Sequence, residues 1–296
     1  MYSFKQLATG VRNPRKVMFE LNRLLSAVRG QRPIDVMAED WDNLIILDAC
    51  RYDLFDDLNM IKGDLSAVIS GGSSTSEFLR HNFDNTVFTD SVYVTANPQI
   101  TRHKIGRRFV HCARLWQEHW DDELRTVLPN DVTDNAIGIN EMFPNKRLII
   151  HYIQPHYPFI GEVGQQIEHG EVTGDGVIKE EREFPSVWDQ LREGAVSREW
   201  VWEAYKQNLE IVLPEVERLI TRLDGKSVIT SDHGNSFGEM GVFGHPGGIW
   251  VSSLVTVPWL EIDAIERRQI THDNVDTWSG TDSNVIEDRL ASLGYS

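Results

Sequence analysis

The sequence predicts a three-layer α/β/α domain built round a mainly parallel central sheet, and two observations predict it. The first is a set of three short apolar runs that read as buried strands. They span residues 43–47, 147–153 and 227–230. None alternates polar with apolar, which is the pattern of a strand covered on both faces. The second is the helical pattern between them. Residues 198–223 carry Trp200, Trp202, Tyr205, Leu209, Val212, Val216 and Leu219 on one stripe, with Pro214 expected to kink or divide the helix. Residues 132–142 read as a shorter helix capped by Thr133 or Asp134. Strands alternating with helices favour parallel pairing, and ligands of such sheets bind beyond the carboxyl ends of the strands.

Each run ends in reactive residues. The first stops at Asp48, the second enters Gln154-Pro155-His156, and the third breaks into Ser231-Asp232-His233-Gly234. Three strand ends of one sheet predict one site. Residues 161–175 read as a long surface loop, and residues 284–293 as a last short helix after a polar, irregular stretch.

A chain of 296 residues buries a sizeable core, and 41% hydrophobic residues is a globular composition. Its two cysteines, Cys50 and Cys112, build no disulfide framework. The formal charge of −16 argues against nucleic acid as a partner, since phosphate backbones select basic surfaces. That charge is uneven. Residues 1–34 hold seven basic residues and one acid, a local +6, which leaves −22 for the rest. Val17, Met18, Leu21, Leu24, Leu25 and Val28 form one apolar stripe there, so 1–34 is read as a basic amphipathic segment ahead of a main domain at 35–296. Such a helix either packs on the domain or lies on an anionic membrane surface through residues 13–29. No apolar run approaches the length of a membrane span, and the first residues lack a signal-peptide core, so a cytoplasmic location is the expectation.

The most informative string is Ser231-Asp232-His233-Gly234-Asn235-Ser236-Phe237-Gly238-Glu239, continuing to His245. An Asp and a His at a strand end can turn toward one cation, with glycines letting the backbone wrap closely. Carboxylate plus imidazole suits Zn²⁺ or Mn²⁺ ahead of Ca²⁺ or Mg²⁺. The string resembles the metal-binding signature of the sulfatase and lipid-A phosphoethanolamine transferase branch of the alkaline phosphatase superfamily. That resemblance implies Asp232 and His233 as ligands and His245, twelve residues after His233, as a substrate-side histidine.

Three further segments extend it. Leu47-Asp48-Ala49-Cys50-Arg51-Tyr52-Asp53 resembles the branch's LDxxRxD element, which implies Asp48 as a third ligand. Arg51 and Asp53 read as structural, and Cys50 as a small buried neighbour. Gly71-Gly72-Ser73-Ser74-Thr75-Ser76-Glu77-Phe78 is a Gly-rich helix start, where a hydroxyl serves as nucleophile or as N-cap. Alignment on the lipoteichoic acid synthase pattern points to Ser73, and alignment on the sulfatase C/S-T-P pattern points to Ser74, followed by Thr75. Neither serine has the residues that sulfatases need to mature a formylglycine, and this moves the expectation from sulfate to phosphate esters. His151 to Phe159 resembles the branch's PHxPF element, implying that His156 contacts the ester group and titrates near neutrality. Tyr152 stands where two-metal members place an Asp, and His151 reads as a satisfied core histidine.

The resulting expectation is a metal-dependent phosphoester hydrolase or phosphotransferase with a serine nucleophile, acting on an anionic small-molecule, glycan or lipid-linked ester. The alternatives are sulfate-ester hydrolysis and a non-catalytic metal-binding interaction protein.

Overall fold

The structure, a computed structural model, describes residues 32–167, 186–273 and 283–295. The amphipathic stripe expected at 13–29 lies outside these residues. Seven strands form the central sheet: β1 (Asn43–Leu47), β2 (Asp64–Ile69), β3 (Phe88–Thr95), β4 (Phe109–Arg114), β7 (Arg147–Tyr152), β8 (Ser227–Thr230) and β11 (Thr256–Ile262). Short two-stranded ribbons supply the remaining numbers: β5 (Trp120–Asp121) with β6 (Thr126–Val127), and β9 (Ser236–Phe237) with β10 (Phe243–Gly244). The sheet order is β2-β11-β8-β1-β7-β3-β4, and only β11 runs against its neighbours. The three strands that carry reactive ends, β8, β1 and β7, are therefore adjacent at its centre.

The helices are α1 (Tyr52–Leu58), α2 (Thr75–Phe83), α3 (Gln99–Arg102), α4 (Pro129–Met142), α5 (Glu162–Gln166), α6 (Val187–Glu193), α7 (Arg198–Ile220), α8 (Ser252–Val255) and α9 (Ser283–Ser292). Alternation along β7 sorts them into layers. Tyr152 points to one face, where its hydroxyl meets Thr133 of α4 at 2.8 Å. His151 points to the other, where Tyr93 of β3 reaches it at 3.0 Å and Phe83 of α2 packs edge-on against Tyr93. The apolar runs of β1, β7 and β8 are buried because both faces are covered.

Three expectations need correction. Helix α4 begins at Pro129 rather than near 132: Pro is pre-shaped for a first helical turn, and Thr133 bonds back to Pro129 O at 3.0 Å instead of capping. Part of the stretch read as a loop at 161–175 is helix α5, and residues 168–175 lie outside the described residues. Pro214 does not divide α7, because Pro214 and Glu210, whose carbonyl loses its partner, both face solvent. Val212, Leu213, Val216 and Leu219 stay buried on the opposite side and hold the helix in line.

Helix α7 also carries the strut for the site. Asn208 is fully buried; its amide nitrogen lies 3.0 Å from His156 O and 2.9 Å from Pro158 O, and its oxygen accepts from Ile160 N at 2.8 Å. Replacing Asn208 with Leu would leave these backbone groups buried and unpartnered. Urea unfolding should show a loss of about 2–4 kcal/mol, and an unchanged midpoint would contradict the role.

Candidate metal centre

The turn after β1 aims Asp48. Ala49 takes a left-handed conformation, φ 58°, held by its N–H on Asp232 Oδ1 at 3.0 Å and by Tyr205 donating to its carbonyl at 2.5 Å. The turn after β8 is fastened as firmly: Ser231 Oγ donates to His233 O at 2.6 Å, and Gly234 N donates to Leu254 O at 2.7 Å. A side chain at Gly234 would meet Ser253 O at 2.2 Å, so only glycine permits this approach.

Asp48, Asp232 and His233 come together without solvent exposure. Asp232 Oδ1 accepts from Ala49 N and from His233 N at 2.8 Å, leaving Oδ2 without a partner. Asp48 Oδ2 accepts from Asn97 Nδ2 at 2.5 Å and Tyr295 OH at 2.8 Å, leaving Oδ1 without one. His233 donates Nδ1–H to Gly234 O at 2.8 Å, which turns the bare Nε2 inward. That nitrogen is 3.4 Å from Asp232 Oδ2 and 3.6 Å from Asp48 Oδ1. Ligands about 2.0–2.2 Å from a tetrahedral Zn²⁺ lie roughly 3.3–3.6 Å apart, and these two separations are of that size.

His151 is corrected from a satisfied core residue to a member of this cluster. Its Nδ1 is met by Tyr93, but Nε2 has no hydrogen-bond partner and lies 3.8 Å from Asp48 Oδ2 and 3.9 Å from Asp232 Oδ2. Among the described residues, Asp48, His151 and Asp232 bring ligand atoms close enough together to hold a metal ion. Strand alternation separates His151 from His156, but position 151 on a strand adjacent to β1 faces the same point as Asp48.

The serines lie elsewhere. Ser73 Oγ sits 2.9 Å from Glu77 Oε2 and 3.0 Å from Pro246 O, and accepts from Ile249 N at 3.2 Å. Ser74 caps α2 through its carbonyl, which accepts from Glu77 N and Phe78 N. The hydroxyl that reaches the cluster is that of Thr75, fully buried, 3.2 Å from His233 Nε2 and 3.1 Å from Tyr295 OH. His156 and His245 do meet, Nε2 to Nε2 at 2.8 Å, and the His245 ring stacks on His233 at 4.6 Å. Arg51 is engaged structurally by Asp53 at 2.6 Å and Glu239 at 2.7 Å. Tyr152, turned to Thr133, stays out of the site. Thr75 was within the serine-rich string; Asn97 and Tyr295 carried no signal in the sequence.

Burial, then the neighbouring Asp232, pushes the Asp48 carboxyl well up. Burial acts upward on Asp232 too, but His233 and His151 outweigh it and hold that carboxyl below the usual range. Burial brings His151 and His156 down to about 4, against the near-neutral titration expected for His156, and lowers His245 well below its usual value.

The fold has solved counterparts. The soluble domain of lipooligosaccharide phosphoethanolamine transferase A from Neisseria meningitidis superposes with a TM-score of 0.50 at 15% identity, covering 75% of this chain and 76% of that one. The chain shares the fold of that domain. The periplasmic domain of EcEptC from Escherichia coli, in complex with Zn, gives a TM-score of 0.49 at 13% identity over 75% of this chain and 72% of that one. A putative sulfatase from Bacteroides thetaiotaomicron gives 0.47 at 12% identity over 77% and 65%, slightly under two thirds of its own length. No family model and no curated protein matches the sequence. Among the described residues no helix is long and apolar enough to cross a membrane.

The depressed histidines make a stability prediction. Unfolded, all three would bind protons near 6.5, whereas the folded state takes up an early proton only at Asp48. Stability of the metal-free protein is thus present above about pH 6.5 and lost as pH falls toward 4. Thermal midpoints across that range should decline; a flat profile would contradict the buried neutral histidines.

Proposed function

We propose that the chain is a metal-dependent phosphoester transferase or hydrolase in which Thr75 is the nucleophile. One observation carries this reading: the buried Thr75 hydroxyl meets His233 Nε2, the atom that lies beside the unpartnered oxygens of Asp48 and Asp232. It replaces the serine nucleophile expected from the sequence, because the Ser73 hydroxyl is taken up by Glu77 and the 246–249 loop.

A Zn²⁺ or Mn²⁺ held by Asp48, Asp232 and His233, with His151 facing the same point, would supply Lewis-acid stabilisation of anionic oxygens and a lowered pKa for a hydroxyl beside it. The chain's own groups do the rest. Thr75 opens the nine-residue helix α2, whose N-terminal dipole favours negative charge on its oxygen. Thr75 gives up its hydroxyl proton to water; attack of Oγ1 at phosphorus then forms the Thr75 O–P bond and breaks the P–O bond to the leaving alcohol. His156 donates Nδ1–H to the adjacent Tyr157 carbonyl, so its Nε2 accepts and His245 Nε2 carries the shared proton. That N–H is placed to hydrogen-bond the departing alkoxide, which takes its proton from water. Water then completes hydrolysis, or a second alcohol completes transfer.

Phosphorus is favoured over sulfur because Thr75 has Glu77 two residues on and Leu79 four residues on, not the residues of a formylglycine signal. The name of the Neisseria enzyme supports a phosphodiester on a glycan or lipid as the substrate class.

Zinc-loaded protein should turn over aryl phosphate or phosphodiester, and chelation should abolish this. Thr75→Ala should lower turnover on the order of 10³-fold, whereas Ser74→Ala should stay near wild type. Mass spectrometry of a trapped peptide spanning 71–80 should place the phosphoryl group on Thr75; phosphoserine there would overturn the assignment. Turnover of aryl sulfate alone would replace phosphate by sulfate chemistry.

A further inference from the structure

Helix α9 delivers a side chain to the centre of the site. Its Leu290, together with Leu293 just beyond it, is fully buried in the same core as the strands, and Ile286 packs beside them. The helix ends in a left-handed turn at Gly294, φ 79°, with Tyr295 N donating to Leu290 O and Gly294 N to Ala291 O, both at 2.9 Å. This turn points Tyr295 inward. Its hydroxyl donates to Asp48 Oδ2 at 2.8 Å, receives Asn97 Nδ2 at 2.9 Å and lies 3.1 Å from Thr75 Oγ1. Its ring stacks on His156, 4.9 Å between centroids at 18°, and meets His245 edge-on at 5.7 Å. One side chain thus touches a candidate ligand, the candidate nucleophile and both substrate-side imidazoles.

We propose that Tyr295 is a positioning residue of the site, whose hydroxyl fixes which Asp48 oxygen faces the cation and whose ring fixes the plane of His156. The proposal rests on the reading of Asp48 as a ligand and Thr75 as nucleophile. A carboxylate with two free oxygens can present either of them, or both. Two donors on Oδ2, the Asn97 amide and the Tyr295 phenol, remove that choice and leave Oδ1 turned toward His233. Outer partners of this kind orient a ligand and tune its affinity for the metal. The stacked ring does the same for His156: with Nδ1 tied to Tyr157 O, the remaining freedom of the imidazole is tilt, and the phenol face opposes it.

A detachable cover over the site is the competing account, since the ring fills space that an ester would approach. The anchoring favours positioning. Leu290 and Leu293 belong to the main core, so withdrawing Tyr295 would expose core residues rather than release a surface arm. The two accounts differ in the sign of their effect on turnover.

The test uses the full chain and two variants. Tyr295→Phe keeps the ring and its packing and removes only the hydroxyl; Tyr295→Leu removes the stack as well. Zinc affinity is measured by chelator competition, with the thermal midpoint of the metal-free protein and kcat and KM for an aryl phosphate measured alongside. Tyr295→Phe should melt like wild type, bind zinc about tenfold more weakly and lose kcat about ten- to a hundredfold with little change in KM. Tyr295→Leu should add a rise in KM, as His156 loses its support. Wild-type zinc affinity in Tyr295→Phe would overturn the proposal, and so would turnover faster than wild type in either variant, the result a cover requires. If wild-type protein itself binds no zinc, the metal-site reading fails and the role of Tyr295 fails with it. Zinc binding by wild type with an indifferent Tyr295→Phe removes the role of Tyr295 alone.

Discussion

Two carboxylates buried side by side impose the constraint that organises this molecule. Asp48 and Asp232 end adjacent parallel strands, and neither is exposed to solvent. Burying one ionised carboxylate is costly, and burying two with like charge is more so unless hydrogen bonds and opposite charge answer them. The fold answers half of each group. Backbone donors take Asp232 Oδ1, and an amide with a phenol takes Asp48 Oδ2. The other two oxygens have no hydrogen-bond partner, and both lie close to His233 Nε2. A divalent cation is the species that such an arrangement accommodates.

Much of the remaining structure keeps that arrangement in place. Tyr205 of α7 reaches across to the Ala49 carbonyl, locking the turn that presents Asp48. Asn208, one turn further along the same helix, ties down the loop that carries His156. Arg51 binds Asp53, Glu239 and the Asn235 carbonyl, so the loop following Asp232-His233 is fastened to the start of α1. A single helix and a single ion-pair network therefore fasten the turns that follow the three strand ends. The same burial that makes the carboxylates costly keeps the surrounding histidines neutral, so that their nitrogens are available as ligands and proton carriers.

The parallel core was legible because both-face burial writes continuous apolar runs into β1, β7 and β8, and because each run ends in the residues that the strands deliver. Asp48, His156, Asp232 and His233 were legible as residues at or just beyond strand ends, while His245 and the roles of all five were implied by the family resemblance. Helix boundaries were less so. Pro129 reads as a loop residue until its place in a first turn is seen, and Pro214 reads as a breaker until its exposed face is known.

By itself the sequence determined the fold class, the strand ends that meet and the carboxylate and imidazole chemistry gathered there. The fold class and the strand ends follow from periodicity, which is local, and the chemistry at those ends from the resemblance of the motifs to a known family. Only the tertiary structure decided which hydroxyl faces the cluster, because Ser73, Ser74 and Thr75 differ by a rotation about the start of α2 that the loop at 246–249 settles. It alone placed His151, Asn97 and Tyr295 in the site. Their sequence separations from Asp48 carry no periodic mark, and their proximity comes from the pairing of β1 with β7 and the docking of α9.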